Sequence, residues 1–460
     1  MCVTSCVRCG VMMSLGPKHL NFFNHVRPLF GTAGTSAASV VQHQAISMNP
    51  QGKHVVPNHV RIPYIEGEGI GPEIMKAAQS VVDNAVKLTY GQDRSIEWFP
   101  ILAGIPAVAL GKDPVPLETI DAVKQHHFFV KGPLNTPKGK GMRSVNVWMR
   151  NFFDMFACVR PVKNIPGVVS PMKQDRTDIV LFRENTEDTY CGIEYPAGSE
   201  KAQAFIAANN AGEGAKQIRP DAAIGIKPSS PFAAKRLTEK AILYALEHNR
   251  PSITVVHKGN IMKDTEGAIW EWAKELAREK YPNQVVIWEE SKEQYGNDMG
   301  KVPKGKVILQ DRLTDAMFQD VILNPHWHSV LVAPNLTGDF LSDALAATVG
   351  GLGVAPGANI GEKYAMFEAT HGTAPDIAGQ NKANPTAMLL SMQMMLDEMN
   401  WDEAAVLLGK GIEETLKQRK MTGDLAKHIP GTPALSTSAF CKAIEETMAQ
   451  MRPPQTLSVA

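Results

Sequence analysis

From Val60 onward, short apolar runs alternate with longer segments whose apolar positions recur at helical spacing. The run Arg61-Ile62-Pro63-Tyr64-Ile65 predicts a buried strand. Behind it, Ile74, Ala77, Ala78, Val81, Val82 and Ala85 share one helical face, with Pro72 placed where a helix can begin. The same strand-then-helix rhythm returns at Ile179-Val180-Leu181-Phe182, at Ser252-Ile253-Thr254-Val255-Val256 and at Ser329-Val330-Leu331-Val332-Ala333. β-Branched strands separated by helices predict an α/β sheet with crossover connections. Two stretches break the rhythm. Tyr195 to Asp221, rich in Ala, Gly and Lys, reads as an excursion from the main body, and the polar stretch Pro282 to Gly305 as a surface loop.

The chain of 460 residues is long enough for a large core and two domains. Lys+Arg and Asp+Glu number 47 each, so no basic field favours a nucleic-acid or membrane partner. No apolar run approaches the ~18–20 residues needed to span a bilayer. Six cysteines without a framework pattern suit a reducing compartment. Cys6 and Cys9 have C-x-x-C spacing, but no second pair follows. Residues 1–65 contain no Asp or Glu and carry Arg8, Lys18 and Arg27 among Ser, Gly and Ala, the composition of a mitochondrial transit peptide. Synthesis starting at Met48 explains the same composition, and both readings stay open. The first places the protein in the mitochondrial matrix, with residues 1–47 as the transit peptide, and the second in the cytoplasm. Under either, residues 1–55 are expected to be a disordered extension outside the fold.

Several motifs carry chemistry. Gly67-x-Gly69-x-Gly71 lies between a strand and a helix, but its spacing is not G-x-G-x-x-G and no acidic ribose ligand follows at the expected distance. Gly350 to Gly361 reads as a long loop of flexible backbone. Asp339 and Asp343 lie four residues apart, so a helix starting near Asp339 projects both carboxylates on one face. Such a pair suits a hard cation that also takes substrate and water oxygens, although a helix N-terminus alone would explain one acid there. Arg150, Arg160 and Arg183 fall in three successive elements, and their forked guanidinium groups suit carboxylates.

Taken in order, Arg143-Ser144-Val145-Asn146, Phe182 to Tyr190, His257-Lys258-Gly259-Asn260-Ile261-Met262-Lys263, Asn335 to Ala344, the Gly350–Gly361 segment and Glu368 to Asp376 resemble the β-decarboxylating dehydrogenases of the isocitrate/isopropylmalate dehydrogenase family. The resemblance runs from about residue 60 to 450 and points to isocitrate dehydrogenases of the bacterial homodimeric type. It implies an α/β fold in which residues 56–155 and 350–460 form a large domain. Residues 156–349 would form a smaller central one, with a dimer clasp at about 195–221. It implies that Ser144 and Asn146 hold the γ-carboxylate of isocitrate, and that Arg150, Arg160 and Arg183 bind the remaining carboxylates. Asp339 and Asp343, with Asp315 of the other subunit, would hold Mg²⁺ or Mn²⁺. Tyr190 and Lys258 would be the acid–base pair, Lys258 reaching in from the neighbouring subunit, so a monomer has no complete site. Thr136, Asn260, His371, Gly372, Thr373, Ala374, Asp376, Ile377 and Asn384 would line the nucleotide. Ser144 also matches a serine that some bacteria phosphorylate, and Glu68 and Asn135 depart from the commoner residues of the family.

The resemblance bears on the nucleotide as well. NADP-dependent members of this kind carry lysine and tyrosine at the positions of Asp376 and Ile377, and tyrosine and arginine where Gly423 and Lys427 align. None of the four matches. Asp376 can accept hydrogen bonds from ribose hydroxyls, whereas a 2′-phosphate at ~4 Å would be repelled by on the order of a few kcal/mol at an effective dielectric of ~20. NAD is therefore the expected cofactor and NADP the alternative, with Lys427 as the contrary residue. An N-cap role for Asp376 behind Pro375 is the structural reading of the same residue. Of the rival activities, a 3-isopropylmalate dehydrogenase would call for an apolar contact where Ser144 and Asn146 are polar. A non-catalytic regulatory subunit would be expected to lack part of the set Tyr190, Lys258, Asp315, Asp339 and Asp343, all present here.

Overall fold

The computed structural model describes residues 41–136, 144–172, 176–212, 214, 216–296, 302 and 304–451. The leader up to residue 40, with Cys6 and Cys9, lies outside the described residues. Eleven strands form the main sheet: β1 (His59–Ile65), β2 (Ser95–Pro100), β3 (Phe128–Lys131), β4 (Ala157–Lys163), β5 (Asp178–Glu184), β6 (Ser252–His257), β7 (Val285–Ile287), β8 (Val307–Leu313), β9 (Val330–Ala333), β10 (Pro356–Ile360) and β11 (Ala365–Ala369). Their order across the sheet is β7-β8-β6-β9-β5-β4-β10-β11-β3-β1-β2.

The expected α/β architecture is present, with an antiparallel centre that the sequence pattern did not announce. Strands β7, β8, β6, β9 and β5 form one parallel block, and β11, β3, β1 and β2 another. Between them β5 pairs with β4, β4 with β10 and β10 with β11, all antiparallel. The outer blocks read clearly because buried parallel strands are nearly continuous apolar runs; β6 and β9 are buried along their whole length. Helices Pro231–Glu247 and Glu266–Lys280 cover the first block, while Gly71–Tyr90, Thr386–Glu398, Asp402–Lys417 and Thr437–Met451 pack together against the second. One apolar core runs through both blocks.

Three expectations are corrected. The segment Gly350–Gly361 is not a long loop, since its second half is β10, entirely buried. Its small residues hide it from a β-propensity reading, yet they suit the crowded centre, where a Cβ on Gly357 would lie 3.1 Å from the Glu368 carbonyl oxygen. Pro282–Gly305 is not only surface loop, because Val285–Ile287 is the buried edge strand β7 and Trp288–Tyr295 is helical. Three apolar residues inside a polar stretch are too few to register as a period. The excursion after Tyr195 contains the helix Glu200–Asn210, started by Ser199, and a small apolar cluster of Ala202, Ile206 and Ile224.

The third correction concerns residues 42–55, which belong to the fold. Ile46 is 1% exposed within the main core. Ser47–Met48 pairs with His54–Val55, and the Arg61 amide donates to the Gln44 carbonyl at 2.8 Å. An acid-free composition says nothing against burial of a single isoleucine. Among the described residues, no helix is long and apolar enough to cross a membrane.

Replacing Ile46 with alanine should destabilise the protein by about 2–5 kcal/mol in urea unfolding, the range for truncating a buried aliphatic side chain. A chain begun at Met48 should lose at least as much. Unchanged midpoints in both would show that residues 42–47 only lie along the surface.

Candidate active site

The antiparallel centre brings charge into the interior. Arg160 lies on β4, Arg183 on β5, Asn359 on β10, Glu368 on β11 and Lys131 at the end of β3. Arg150 joins them from the helix Val145–Phe152, which Ser144 caps by accepting the Val147 amide at 3.4 Å. Arg150, Arg160, Lys131, Asn146, Cys158, Asn359, Glu368, His371 and Gly372 line one cleft of about 530 Å³.

Glu368 is the anion that makes this arrangement possible. Its carboxylate receives Lys131 at 2.6 Å and Arg150 at 2.9 Å, and Asn359 donates to it at 2.7 Å. Burial by itself would raise the Glu368 carboxyl, but Lys131 and Arg150 outweigh it and hold it well below the usual carboxylate range. Burial moves the Lys131 ammonium down from its ordinary value. Neither residue had been singled out from the sequence as part of the site. The available signal was a lysine ending the fully buried strand Phe128-Phe129-Val130-Lys131, a placement that requires a partner.

The cleft also holds unmet polar atoms. Arg150 Nε, Arg160 Nε, Asn146 Oδ1 and His371 Nε2 are all buried without a hydrogen-bond partner. Buried polar groups are nearly always paired, so four orphans around one cleft point to a polar occupant: the two guanidinium Nε donors suit an anion, and the Asn146 oxygen needs a donor.

Beside this cleft, the helix Asn335–Thr348 carries Asp339 and Asp343. It begins at Asn335, before the expected start near Asp339, and neither aspartate lies in its first turn, so a helix N-terminus does not account for them. Arg183, 1% exposed, is fixed by two donations to Asn335 Oδ1, at 3.0 and 2.7 Å, and forms an ion pair with Asp339. Arg160 stands 3.5 Å from both aspartates and also donates to Ser342. Tyr190 donates to Asp339 Oδ2 at 2.5 Å, with the Arg183 guanidinium over its ring. Burial and then that hydrogen bond raise the phenol, which favours its protonated form. Burial alone would raise Asp339, but Arg183 and Arg160 hold it below the usual range. Asp343 is raised by burial and by Asp339, and its side chain remains 56% exposed. Two carboxylates on one helical face, one of them open to solvent, fit a Mg²⁺- or Mn²⁺-type ion completed by ligand and water oxygens. Among the described residues no group of three or more His, Cys, Asp or Glu side chains gathers to hold a metal.

The remaining candidates are distributed around this centre. Ser144 and Tyr190 border a second, larger cleft of about 1590 Å³, and Thr136 donates to Ser144 Oγ at 3.0 Å. Lys258 and Asp315 pair with each other at 2.6 Å beside a third cleft, and no hydrogen bond or ion pair joins them to Asp339, Asp343 or Tyr190 among the described residues. Asn260, on the Lys258 loop, is exposed and likewise apart.

The nucleotide candidates lie mostly on one braced loop. Ile70 donates to the Thr373 carbonyl at 2.9 Å, and a Cβ on Gly69 would sit 2.0 Å from that oxygen. The first Gly-rich turn thus supports the His371–Ile377 loop by close backbone approach, a role only glycine fills there. Glu68 accepts the Asn135 and Ile105 amides at 3.0 and 2.9 Å, fixing the segment that leads to Thr136. Ala374 has a left-handed backbone, and Asp376 follows in the short turn Pro375–Ile377. Asp376 is exposed and makes no side-chain cap, so its carboxylate is available to a ligand. Gly372 has nothing within 4 Å of a built Cβ, while Asn384 is tied to Asp424 at 2.9 Å next to Gly353. Lys427 is exposed.

Replacing Glu368 with glutamine should cost about 3–5 kcal/mol in urea unfolding at pH 7, since it strands two buried cations. The folded carboxyl lies below its unfolded value of ~4.3, so its contribution is complete above that pH and is lost as pH falls through the folded value. The gap between wild type and variant should hold from pH 7 to about 5 and narrow below about 4. A gap independent of pH down to 3 would contradict this.

The profile of the isocitrate/isopropylmalate dehydrogenase family matches residues 61–444. The chain is 44% identical over 398 residues to the isocitrate dehydrogenase [NADP] of Archaeoglobus fulgidus, covering 86% of this chain and 95% of that protein. It is 45% identical over 402 residues to isocitrate dehydrogenase [NADP] 1 of Colwellia maris, covering 86% and 96%. Among solved structures, isocitrate dehydrogenase from Methylococcus capsulatus is similar with a TM-score of 0.70 and 34% identity over 84% of this chain and 99% of that one. By sequence and by fold, this chain belongs to the isocitrate/isopropylmalate dehydrogenase family.

Proposed function

We propose that the protein oxidises isocitrate at its C2 hydroxyl and releases one carboxyl group as CO₂, giving 2-oxoglutarate, with a pyridine nucleotide taking the hydride. The observation that carries this reading is the cleft that Arg150 and Arg160, each with an unpartnered buried Nε, line together with Asn146 and His371. A tricarboxylate supplies the anions, and the nucleotide loop begins at the same wall. Ser144 and Asn146 would take the γ-carboxylate, and their polar character disfavours the isopropyl group of the alternative substrate 3-isopropylmalate. Arg150, Arg160 and Arg183 would hold the other carboxylates.

Asp339 and Asp343 would hold the divalent ion, which when bound lowers the pKa of the C2 hydroxyl and stabilises the enolate left by CO₂ loss. Tyr190, held in its protonated form beside Asp339, would give a proton to the carbon that loses CO₂. Lys258 and Asp315 are read as serving the neighbouring subunit, which accounts for their pairing with each other away from Asp339. On this reading the protein is a homodimer with shared sites. The segment at about 195–221 is the clasp, and residues 56–155 with 350–460 and residues 156–349 are the two domains that flank the site.

The nucleotide is read as NAD. Asp376 presents an unengaged carboxylate on an exposed turn, beside Ile377, where a 2′-phosphate would call for cationic and hydroxyl partners. The second reading is NADP, favoured by the printed names of the relatives above and by exposed Lys427.

With isocitrate and Mn²⁺, purified protein should show a higher kcat/KM for NAD than for NADP; the reverse order would establish the second reading. Converting Asp376 to lysine together with Ile377 to tyrosine should move the preference toward NADP by about tenfold or more, tenfold corresponding to 1.4 kcal/mol. Turnover of 3-isopropylmalate but not isocitrate would overturn the substrate assignment.

Chelation with EDTA should abolish turnover and Mn²⁺ should restore it. Asp339→Asn should lower kcat by about 100-fold or more, the scale of removing a group that stabilises transition-state charge. Full activity in EDTA would remove the metal from the reading.

A further inference from the structure

The helix Asn335–Thr348 starts behind Pro334 without a side-chain cap of its own. Its Leu336 amide donates instead to Asp188 Oδ2 at 2.9 Å, from more than a hundred residues away in sequence. Asp188, 3% exposed, adopts a left-handed backbone at φ 67° and opens the short turn Asp188–Cys191 that carries Tyr190. Its own amide is held by the Pro228 carbonyl at 3.1 Å, and its other oxygen accepts the Thr189 amide at 2.7 Å. One aspartate therefore fixes the Tyr190 turn to the start of the helix bearing Asp339.

That oxygen also meets the ammonium of Lys227, which forms a second ion pair with Glu266 Oε1 at 3.0 Å. Glu266 is 2% exposed, and its Oε2 accepts the Lys258 backbone amide at 2.6 Å. Lys227 is thus the shared counter-ion of two buried carboxylates, one anchoring Tyr190 and the other anchoring Lys258. Removing it would leave two like charges out of water, each holding a different part of the catalytic apparatus.

We infer that Lys227, with Asp188 and Glu266, is a positioning residue that sets Tyr190 and Lys258 together and makes no contact with substrate itself. This rests on the isocitrate dehydrogenase reading. If Lys258 serves the partner's site, each Lys227 joins the proton donor of one site to the lysine of the other.

Lys227→Met, Lys227→Arg and Glu266→Gln are compared in the full-length protein by steady-state kinetics and by hydrogen exchange of peptides covering residues 188–191, 258–262 and 335–338. Lys227→Met should lower kcat by about 10- to 100-fold, the scale of an ångström-sized misplacement, while KM for isocitrate changes less than about threefold. Exchange should rise about tenfold or more in all three peptides together. Lys227→Arg should recover most of kcat. Glu266→Gln, which keeps an acceptor for the Lys258 amide, serves if Lys227→Met does not fold, and should loosen 258–262 while sparing 335–338. Wild-type kcat in Lys227→Met, or faster exchange confined to the neighbourhood of residue 227, would overturn the inference; so would Glu266→Gln matching wild type in both kcat and exchange. Failure of the unaltered protein to oxidise isocitrate with either nucleotide would instead overturn the functional reading, and the exchange result would still decide whether Lys227 links the two segments.

Discussion

A charge taken out of water must find its opposite nearby, and the centre of this sheet is arranged around that requirement. Lys131, Arg150, Arg160 and Arg183 are all buried on adjacent elements. Glu368 neutralises two of them, and Asp339 lies against the other two. The partition leaves a surplus of donors facing the cleft. A pocket satisfied by its own carboxylates would have no affinity to spare for an anion, while one with fewer carboxylates would not hold the cations in place. The strand pattern serves this balance. The antiparallel centre sets Cys158 opposite both Arg183 and Asn359, and the parallel pairing of β11 with β3 beside it puts Glu368 in register with Lys131.

The outer parallel blocks were legible in the sequence because burial on both faces writes long apolar runs. The centre was not. Strand β10 is Pro-Gly-Ala-Asn-Ile, and its character follows from neighbours that only the tertiary structure supplies. The site shows the same division. Ser144, Arg150, Arg183, Tyr190 and Asp339 could be named as candidates because they fall in motifs that together resemble a known family. Lys131, Glu368, Asp188, Lys227 and Glu266 take no role from those motifs, since their ion pairs join residues as far apart as the 237 positions between Lys131 and Glu368. Asp339 shows the limit of spacing arguments: four residues to Asp343 correctly implied a shared face, but the helix start was displaced, and with it the alternative of an N-terminal charge effect.

Two kinds of selectivity also separate physically. The residues read as selecting substrate are embedded in a network where Arg183 is bound by Asn335 and Asp339, and Arg150 by Glu368. A change there disturbs stability as well as binding. Asp376 and Ile377 stand on an exposed turn whose backbone is secured elsewhere, by Gly69 and Ile70 against Thr373. Their side chains can be exchanged with little consequence for the core, because exposed charges contribute little to folding. Overall identity to relatives is dominated by the many positions that build the sheet and its helices. It therefore weighs heavily on fold and family and lightly on which nucleotide is taken, a choice that, on the NAD reading, the exposed carboxylate of Asp376 would bias.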